Sequence, residues 1–387
     1  MTRVLIAFDK FKDALTARQA CESAASALRT NHPDWVLDLC PLTDGGEGFC
    51  DTLTRAVNGH FTSLECSGPR GSLVVASFGN VAPQQVPVNV RRRLELQDGS
   101  SLAVIEMASA SGLALLPANQ RDPWRTSSRG TGELIRAAIE SHADAIMLGV
   151  GGSATNDLGL GALTALGFEF IDANDGARID DPTPATWEKI IRIECANTGK
   201  APRVFIACDV TNPLLGQNGA TAIFGPQKGL QPGDEGRLEA QATRMAALLC
   251  DACHQPHALI DVPGAGAAGG ISFGLMVACQ ARLVSGFGLV SEWLDLPARV
   301  ARADLVLTGE GRFDATSLGG KGPGSLVAAA RQLGKGAHVF AGSVGLADGL
   351  RELDGVQVHA ITPSAMSLAD ALPRTAELLA SAVSRSL

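Results

Sequence analysis

Short apolar runs alternate with helical segments near the start of the chain. Residues 4–8 are apolar and residues 36–39 are apolar apart from Asp38, while residues 16–28 carry alanine and leucine at four-residue spacing behind Thr16. A continuous apolar run is typical of a buried parallel strand, and Thr16 is a suitable N-cap for the intervening helix. With a further helix expected over residues 48–57, this order predicts a parallel sheet flanked by helices.

The last third of the chain has the same alternation. Apolar runs predict strands over residues 303–307, 337–341 and 356–361, and helical spacing predicts helices over 324–333 and 367–384. The first and last segments are therefore expected to form the two halves of one doubly wound domain.

The middle of the chain has a different pattern. Between residues 62 and 125, short alternating segments are separated by Gly and Asp-Gly turns, which favours antiparallel pairing. Strands are expected over residues 73–78, 94–96, 102–106, 145–148 and 204–207, with helices over 132–139 and 238–249. We therefore predict a second α/β domain, residues 62–295, inserted into a domain made of residues 1–61 and 296–387.

The composition supports two globular domains and disfavours nucleic-acid and membrane partners. The chain has 387 residues, of which 45% are hydrophobic, enough for sizeable cores. The net charge of −8 disfavours a nucleic-acid partner. The apolar N-terminal run is too short for a signal peptide and no uninterrupted transmembrane span follows, so we expect no membrane partner and a cytoplasmic location. The nine cysteines lack paired spacing and are expected to be reduced thiols.

Four segments combine glycines with charged side chains, and each is expected to lie where a strand ends. They cover residues 43–48, 149–157, 224–229 and 308–314. Glycine lets backbone N–H groups approach a ligand closely, and nearby carboxylates hold a divalent cation or accept a hydroxyl proton. Four such segments in one chain predict a site for a phosphorylated, metal-bound ligand, which indicates a kinase-like enzyme.

Individual residues in these segments have structural as well as functional interpretations. Asp44 is a candidate metal ligand or base, whereas Glu47 would also favour the start of the next helix. Asp157 closes a loop of hydroxyl and amide groups suited to Mg²⁺, or it caps a helix. Asp209 caps a turn or contacts the ligand, and Lys228 is expected in a rigid, exposed turn. Two carboxylates and two cations occur within twelve residues and suit phosphate and metal, namely Glu310, Arg312, Asp314 and Lys321.

Other motifs point to different chemistry. Residues 264–269 match the dinucleotide pattern G-x-G-x-x-G, but neither a clear strand before them nor an acid about 20 residues later supports NAD binding. Phosphate binding by that loop is the better interpretation, since backbone N–H groups before a helix bind anions. The sequence Cys250-Asp251-Ala252-Cys253-His254 matches a haem-attachment motif, but no export signal accompanies it and it follows a helix.

Taken together, these segments resemble the type I glycerate kinase family over nearly the whole chain. The resemblance is carried by Asp9-Lys10-Phe11-Lys12 and by residues 44–48, 106–113, 126–135, 151–157, 208–214, 224–229, 263–270 and 308–312. Three positions depart from the usual family pattern: Lys10 and Ala315 each stand in place of Ser, and Leu158 stands in place of Gly. The departures at Lys10 and Ala315 concern substrate contacts and not the class of reaction.

The resemblance implies a fold, an activity and a place for the active site. It implies two α/β domains, a flavodoxin-like domain with a doubly wound parallel sheet and an inserted mixed-sheet domain, with the active site in the cleft between them. It also implies ATP-dependent phosphorylation of D-glycerate, usually to 2-phosphoglycerate, with ATP and Mg²⁺ as cofactors. We expect a monomer or a homodimer.

The hypothesis assigns roles to the candidate residues. Asp44 or Asp157 accepts the hydroxyl proton, and Arg129, Lys12 or Arg312 holds the substrate carboxylate. The expected catalytic residues are Asp44, Asp157, Glu310 and Lys12. The expected substrate contacts are Lys10, Arg129, Ser153, Asn156, Asp209, Asn212 and Arg312. The expected nucleotide contacts are Gly45, Gly46, Gly151, Gly152, Lys228, Gly266 and Lys321, and the expected metal ligands are Asp44, Glu47 and Asp314.

Two other functions stay open at this stage. One is an NAD-dependent oxidoreductase that acts on a small hydroxy acid through the loop at 264–269. The other is a glycerate sensor that binds glycerate without turning over ATP.

Overall fold

The chain folds into two compact units. The computed structural model describes residues 1–195, 202–318, 322–345 and 355–387. The first unit comprises Met1–Asp44 and Val290–Leu387, and the second unit comprises Gly45–Leu289. Residues 45–61 pack in the second unit because the amides of Gly48 and Cys50 donate to the carboxylate of Glu106. The predicted domain boundaries near 62 and 295 stay a prediction.

The strands of both units are three to ten residues long in the described ranges. In chain order they are β1 (Arg3–Phe8), β2 (Val36–Leu39), β3 (His60–Ser67), β4 (Leu73–Val81), β5 (Leu102–Glu106), β6 (Ala145–Gly149), β7 (Glu169–Asp172), β8 (Ile190–Glu194), β9 (Arg203–Ala207), β10 (Arg282–Val284), β11 (Leu305–Asp314), β12 (Gly336–Gly345) and β13 (Val356–Ala360).

The helices connect these strands. They are α1 (Ala17–Asn31), α2 (Phe49–Ala56), α3 (Val88–Arg93), α4 (Ala108–Ser111), α5 (Arg129–Glu140), α6 (Leu160–Ala165), α7 (Ala220–Phe224), α8 (Glu235–Ala252), α9 (Ala267–Cys279), α10 (Gly286–Trp293), α11 (Leu296–Arg302), α12 (Gly322–Gln332), α13 (Leu368–Ala371) and α14 (Thr375–Ser386). Within the described ranges, none of them combines the length and the apolar composition needed to cross a membrane.

The first unit is built on a five-stranded parallel sheet. Its order is β13-β12-β11-β1-β2, and every neighbouring pair is parallel. Counted from the β2 edge by position in the chain, this is the order 2-1-3-4-5 of flavodoxin-like folds. The prediction of a doubly wound sheet shared by the two ends of the chain is confirmed.

Helices cover both faces of that sheet. Val4, Ile6 and Phe8 of β1 join α1 and α14 in one apolar cluster. Because side chains alternate along a strand, Leu5 and Ala7 point to the opposite face, where α11 and α12 contact β1. Helix α1 begins at Thr16, whose side chain accepts from the Gln19 amide in a capping box, as its sequence predicts.

The second unit contains a six-stranded mixed sheet. Its order is β10-β9-β6-β5-β4-β3, with β10, β9, β6 and β5 parallel and β4 and β3 antiparallel to their neighbours. The predicted antiparallel pairing in the middle of the chain is thereby confirmed. The register aligns Glu106, Gly149, Ala207 and Val284 at the carboxyl ends of the four parallel strands. Loops that follow these residues therefore lie along one edge of the sheet.

Three local predictions are wrong. Residues 94–96 form no strand, because Glu95 adopts a φ of +53° and its carboxylate pairs with Arg282 at 2.7 Å. Residues 308–314 are not a loop after a strand. They continue β11, which pairs with β12 as far as Asp314 and Gly345. Residues 224–229 follow helix α7 and not a strand.

Candidate active site

Two glycine-rich segments meet at the carboxyl edge of the second sheet. The N–H of Gly151, just after β6, donates to the carbonyl oxygen of Gly45 at 3.0 Å. A Cβ at Gly151 would lie 2.6 Å from the Cα of Gly46, closer than real Cβ atoms come. Gly152 has a φ of +73°, and a Cβ there would lie 3.3 Å from Glu47 Oε1. The structure thus brings together the predicted residues Gly45, Gly46, Glu47, Gly151 and Gly152.

Glu106 fixes the turn that carries these glycines. It ends β5, and its Oε2 accepts from the Gly48 amide at 2.9 Å and from the Cys50 amide at 3.2 Å. A carboxylate at the start of α2 satisfies free N–H groups and interacts favourably with the helix dipole. Glu106 is not among the predicted site residues, although its position as a carboxylate at the end of a buried strand could have identified it.

Asp157 is a buried anchor within the loop that follows β6. Its Oδ2 accepts from the amide and the hydroxyl of Ser128, both at 2.7 Å, and from the Gly161 amide at 3.2 Å. Its Oδ1 accepts from the Gly159 amide at 3.2 Å. Burial raises the pKa of this carboxyl, and the hydrogen bonds from Ser128 oppose the rise. The carboxylate ties the beginnings of α5 and α6 to the loop.

Lys228 is buried against the same loop. Its side chain was predicted in an exposed turn, but the residue is only 1% exposed and ends a short 3₁₀ helix, Pro226–Lys228. The Lys228 Nζ donates to the carbonyl oxygen of Thr155 at 2.5 Å. Burial lowers the pKa of Lys228 to about 7, and the Asp157 carboxylate opposes that change. The prediction that Lys228 is exposed is wrong, because its side chain is directed to the loop after β6 and its Nζ reaches the Thr155 carbonyl oxygen.

Two side chains in the loop from Ser153 to Asn156 carry buried polar atoms. Thr155 Oγ1 and Asn156 Oδ1 are buried and have no hydrogen-bond partner within the described part of the chain. Buried polar atoms are rarely left in that state. Ser153 is held by a backbone bridge to Gly112, which fixes the course of this loop.

Asp209 and Asn212 have local structural partners. Asp209 accepts from the Ser285 hydroxyl at 3.0 Å and from the Phe287 amide at 2.7 Å, and so caps helix α10. The carbonyl oxygen of Asn212 accepts from the amides of Gly264 and Gly266, at 3.2 and 3.0 Å. Their predicted substrate contacts stay a prediction.

The loop at 264–269 lacks the setting of a dinucleotide site. It follows a 3₁₀ helix, His257–Asp261, and not a strand. A Cβ at Gly266 would lie 2.2 Å from the carbonyl oxygen of Pro213, so this glycine serves close packing of two loops. Nothing in this geometry supports the NAD-dependent alternative.

Arg129 is engaged at the start of α5. Its Nε donates to Glu133 Oε1 at 3.1 Å, and one terminal nitrogen donates to the carbonyl oxygen of Asp180 at 3.0 Å. Both partners lie in the second unit. The guanidinium is therefore already held by the protein.

In the first unit, carboxylates gather around Glu310 on β11. Glu310 is half-buried, and its Oε1 has no hydrogen-bond partner within the described ranges. Burial raises the pKa of Glu310 to about 7, Ser317 opposes this by a hydrogen bond, and the negative charges of Asp9, Asp314 and Asp44 add to the rise. The acidic cluster therefore contains Asp44, Glu310 and Asp314 together with Asp9, and the site roles predicted for these residues stay a prediction.

Cationic residues border this acidic cluster. Arg312 Nε donates to Asp314 Oδ2 at 3.0 Å, while Asp314 Oδ1 accepts from the amide and the hydroxyl of Thr316. These contacts, first the Thr316 hydroxyl, lower the pKa of Asp314. Lys12 is exposed, and a Cβ at Gly311 would lie 3.3 Å from its backbone nitrogen, so Lys12 lies beside β11.

Two further predicted site residues are Lys10 and Lys321. The Lys10 amide donates to Asp9 Oδ1 at 2.7 Å, which places Lys10 next to the acidic cluster along the chain. Lys321 lies outside the described residues. Among the described residues, no group of three or more His, Cys, Asp and Glu side chains is arranged to hold a metal by itself.

Comparison with known proteins gives a consistent result over the whole chain. Residues 4–386 match the model of the glycerate kinase family. The chain is 36% identical to a glycerate kinase of Bacillus subtilis, over 97% of this chain and 94% of the relative. It is 38% identical to a glycerate 2-kinase of Escherichia coli, over 88% and 85%. A crystal structure of a candidate glycerate kinase 2 from Salmonella typhimurium LT2 is similar with a TM-score of 0.76 and 36% identity, covering 100% of this chain and 97% of the other.

Proposed function

Because the chain belongs to the glycerate kinase family and is therefore a kinase of glycerate, we propose that it transfers the terminal phosphoryl group of Mg·ATP to D-glycerate and releases 2-phosphoglycerate. The regiochemistry is supported by the similarity to the glycerate 2-kinase of Escherichia coli. The observation that carries the proposal is the family match over residues 4–386. The free thiols agree with a reducing compartment, so we place the reaction in the cytoplasm.

The paired glycine segments suit the phosphates of the nucleotide. Gly45, Gly46, Gly151 and Gly152 form backbone without side chains at the edge where four parallel strands end, and of these Gly151 and Gly152 reach the surface whereas Gly45 and Gly46 are buried. Ligands of α/β sheets bind outside the carboxyl ends of the strands, and glycine backbone allows phosphate oxygens to approach N–H groups. We assign phosphate binding to this surface.

Lys228 and Asp157 hold the loop that carries Gly151 and Gly152 in position. Both side chains are buried, and their hydrogen bonds end on Thr155, Ser128 and the start of α6. A buried ammonium that donates to a backbone carbonyl holds the loop in one position and does not reach a ligand. We therefore assign Lys228 a positioning role and not the direct nucleotide contact first predicted.

The acidic cluster of the first unit suits a magnesium ion. Mg²⁺ binds oxygen ligands and in kinases is typically held by one or two carboxylates together with the substrate phosphates. The unpartnered Oε1 of Glu310 is such an oxygen, so a cluster of three protein ligands is not required. Glu310 would hold the ion, which neutralises charge on the transferred phosphoryl group.

Asp44 is the better of the two predicted bases. Asp157 accepts four hydrogen bonds and is fully buried, so no oxygen of it is directed to a substrate. Asp44 lies in the cluster around Glu310, close enough to influence its pKa. We assign to Asp44 the acceptance of the hydroxyl proton of glycerate.

The substrate carboxylate needs an accessible cation beside the proposed base. Arg129 donates to Glu133 and to the Asp180 carbonyl, whereas Lys12 and Arg312 are exposed beside the acidic cluster. Lys12 and Arg312 are therefore the preferred carboxylate ligands. Arg312 also pairs with Asp314, which orients its guanidinium.

The experiment is a kinase assay with product analysis by ³¹P NMR. ADP release should require both D-glycerate and Mg²⁺. In a proton-coupled spectrum the phosphorus of 2-phosphoglycerate couples to a single carbon-bound proton and gives a doublet, whereas 3-phosphoglycerate gives a triplet. A triplet would reject the regiochemistry, and ADP release that does not depend on glycerate would reject the substrate.

A further inference from the structure

Two thiols of the second unit face each other across a long span of chain. Cys195 Sγ and Cys253 Sγ lie 3.3 Å apart, although the residues are separated by 58 positions. Cys195 directly follows β8, and Cys253 directly follows α8. A disulfide has an S–S distance of about 2.05 Å, so the two sulfur atoms need to approach by only about 1.2 Å.

The packing of α8 on β8 holds these cysteines in place. Arg244 of α8 donates to the carbonyl oxygen of Ile190 at 2.8 Å, and Gln241 Nε2 donates to Glu188 Oε1 at 2.6 Å. Near the end of α8, Cys195 Sγ also donates to the carbonyl oxygen of Ala252 at 3.2 Å. The two thiols are thus brought together by the fold and not by their positions in the sequence.

Exposure gives the two thiols different roles. Cys195 is exposed, whereas Cys253 is half-buried. Burial raises the pKa of the Cys253 thiol, and the contact with Cys195 raises it further. Cys253 therefore keeps its proton, and the accessible Cys195 meets an oxidant first.

We propose that Cys195 and Cys253 are a redox modification site that hydrogen peroxide converts into a reversible disulfide. The Cys195 thiolate attacks one peroxide oxygen, the O–O bond breaks, and a sulfenic acid and hydroxide form. Cys253 sulfur then attacks the sulfenic sulfur, the S–O bond breaks, and water leaves as the disulfide forms. Overall, two thiols and one peroxide give one disulfide and two waters.

The same geometry explains a motif that the kinase reaction leaves unused. In the haem-like sequence from Cys250 to His254, Cys250 is buried with its Sγ directed to the carbonyl oxygen of Pro256. The two cysteines of the motif therefore contact different groups: Cys250 contacts the Pro256 carbonyl oxygen, and Cys253 contacts the Cys195 thiol. A cross-link there would join the end of β8 to the end of α8.

The test uses the reduced, folded full-length protein. It is treated with a small excess of hydrogen peroxide, free thiols are blocked with N-ethylmaleimide, and the protein is digested without reduction for mass spectrometry. We expect one linked peptide pair that contains Cys195 and Cys253, and a mass loss of about 2 Da for the two hydrogens removed. Dithiothreitol should restore both free thiols.

Matched variants locate the reaction. Cys195→Ser should abolish the linked pair, whereas Cys208→Ser, which changes another partly exposed cysteine of the second unit, should leave it intact. Recovery of Cys195 as sulfinic acid with Cys253 still alkylated would overturn the proposal. So would a link from Cys253 to Cys250 or Cys279. Because the decisive measurement is made on the wild-type chain, instability of a variant does not affect it.

Discussion

The Lys228 ammonium group donates to the backbone carbonyl oxygen of Thr155 at 2.5 Å, and both residues are buried in the second unit. This contact joins the end of the Pro226–Lys228 helix to the loop that follows β6. Removing the donor from a buried carbonyl oxygen lowers the free energy of unfolding by about 1–3 kcal/mol. The same loop contains Gly151 and Gly152, so the position of the proposed phosphate surface depends on a lysine that does not belong to it.

Replacement of Lys228 by Met should therefore impair catalysis without removing any ligand contact. A shift of the loop by about 1 Å is expected to lower kcat about 100-fold. The measurement is steady-state kinetics, together with circular dichroism to verify folding. Lys189→Met changes an exposed lysine of the same unit and should be neutral. A folded Lys228→Met protein with normal kcat would contradict the positioning role.

Asp157→Asn separates the role of an anchor from that of a base. The amide nitrogen would face N–H and O–H donors of Ser128, Gly159 or Gly161, and we expect a loss of about 2–4 kcal/mol in the free energy of unfolding. Urea denaturation measures this loss. Asp261→Asn is the exposed control. Unchanged stability with a large loss of kcat would instead identify Asp157 as a base.

Gly151→Ala tests the contact between the two glycine segments. The new Cβ would lie 2.6 Å from the Cα of Gly46, so the segments must separate. We expect a loss of stability of about 1–3 kcal/mol and a raised KM for ATP. Gly236→Ala meets nothing within 4 Å and lies in α8, so it should preserve both quantities. Equal KM values for the two variants would argue against a nucleotide site here.

Glu310→Gln tests the proposed magnesium ligand. The change keeps the shape of the side chain and removes its charge, so kcat should fall at least about 100-fold and the Mg²⁺ concentration for half-maximal rate should rise. A magnesium titration of the initial rate provides the measurement. Glu22→Gln alters an exposed carboxylate of the same unit and is the control. An unchanged magnesium dependence would remove Glu310 from the metal site.

The contact between buried His338 and half-buried His359 predicts a pH dependence of stability. Burial, together with the charge of nearby His359, whose Nε2 lies 3.1 Å from His338 Nδ1, lowers the pKa of His338 from 6.5 to about 4. The unfolded chain therefore binds a proton that the folded chain rejects. The stability that the neutral His338 contributes is fully present above pH 6.5 and is lost as the pH falls towards 4.

Urea denaturation at several pH values checks this sign. His338→Phe should show a weaker decline of stability between pH 6.5 and 4 than the wild-type protein, because one proton-linked group is gone. His60→Gln, which changes an exposed histidine, should follow the wild-type curve. A steeper decline for His338→Phe would contradict the assignment.

The local rules worked where the sequence itself contains the physical cause. The continuous apolar run of β1 by itself indicates a strand buried on both faces, and Thr16 and Gln19 form their capping box within four residues. The glycines at 45, 46, 151 and 152 predict a close approach of backbone to a ligand, and the structure shows a close approach between the two glycine segments themselves. Sequence reasoning failed at Glu95, where the positive φ accompanies ion pairs with arginines distant in the chain.

The sequence by itself determined the class of fold, the segments rich in glycine and charge, and the resemblance to glycerate kinases, because apolar periodicity, turn chemistry and motif order are local properties of the chain. Only the tertiary structure decided that Lys228 and Asp157 are buried supports, that Glu106 fixes the first glycine turn, and that Cys195 faces Cys253. Burial and hydrogen-bond partners depend on which distant segments pack together. That choice is made by the whole chain, and no single segment contains it.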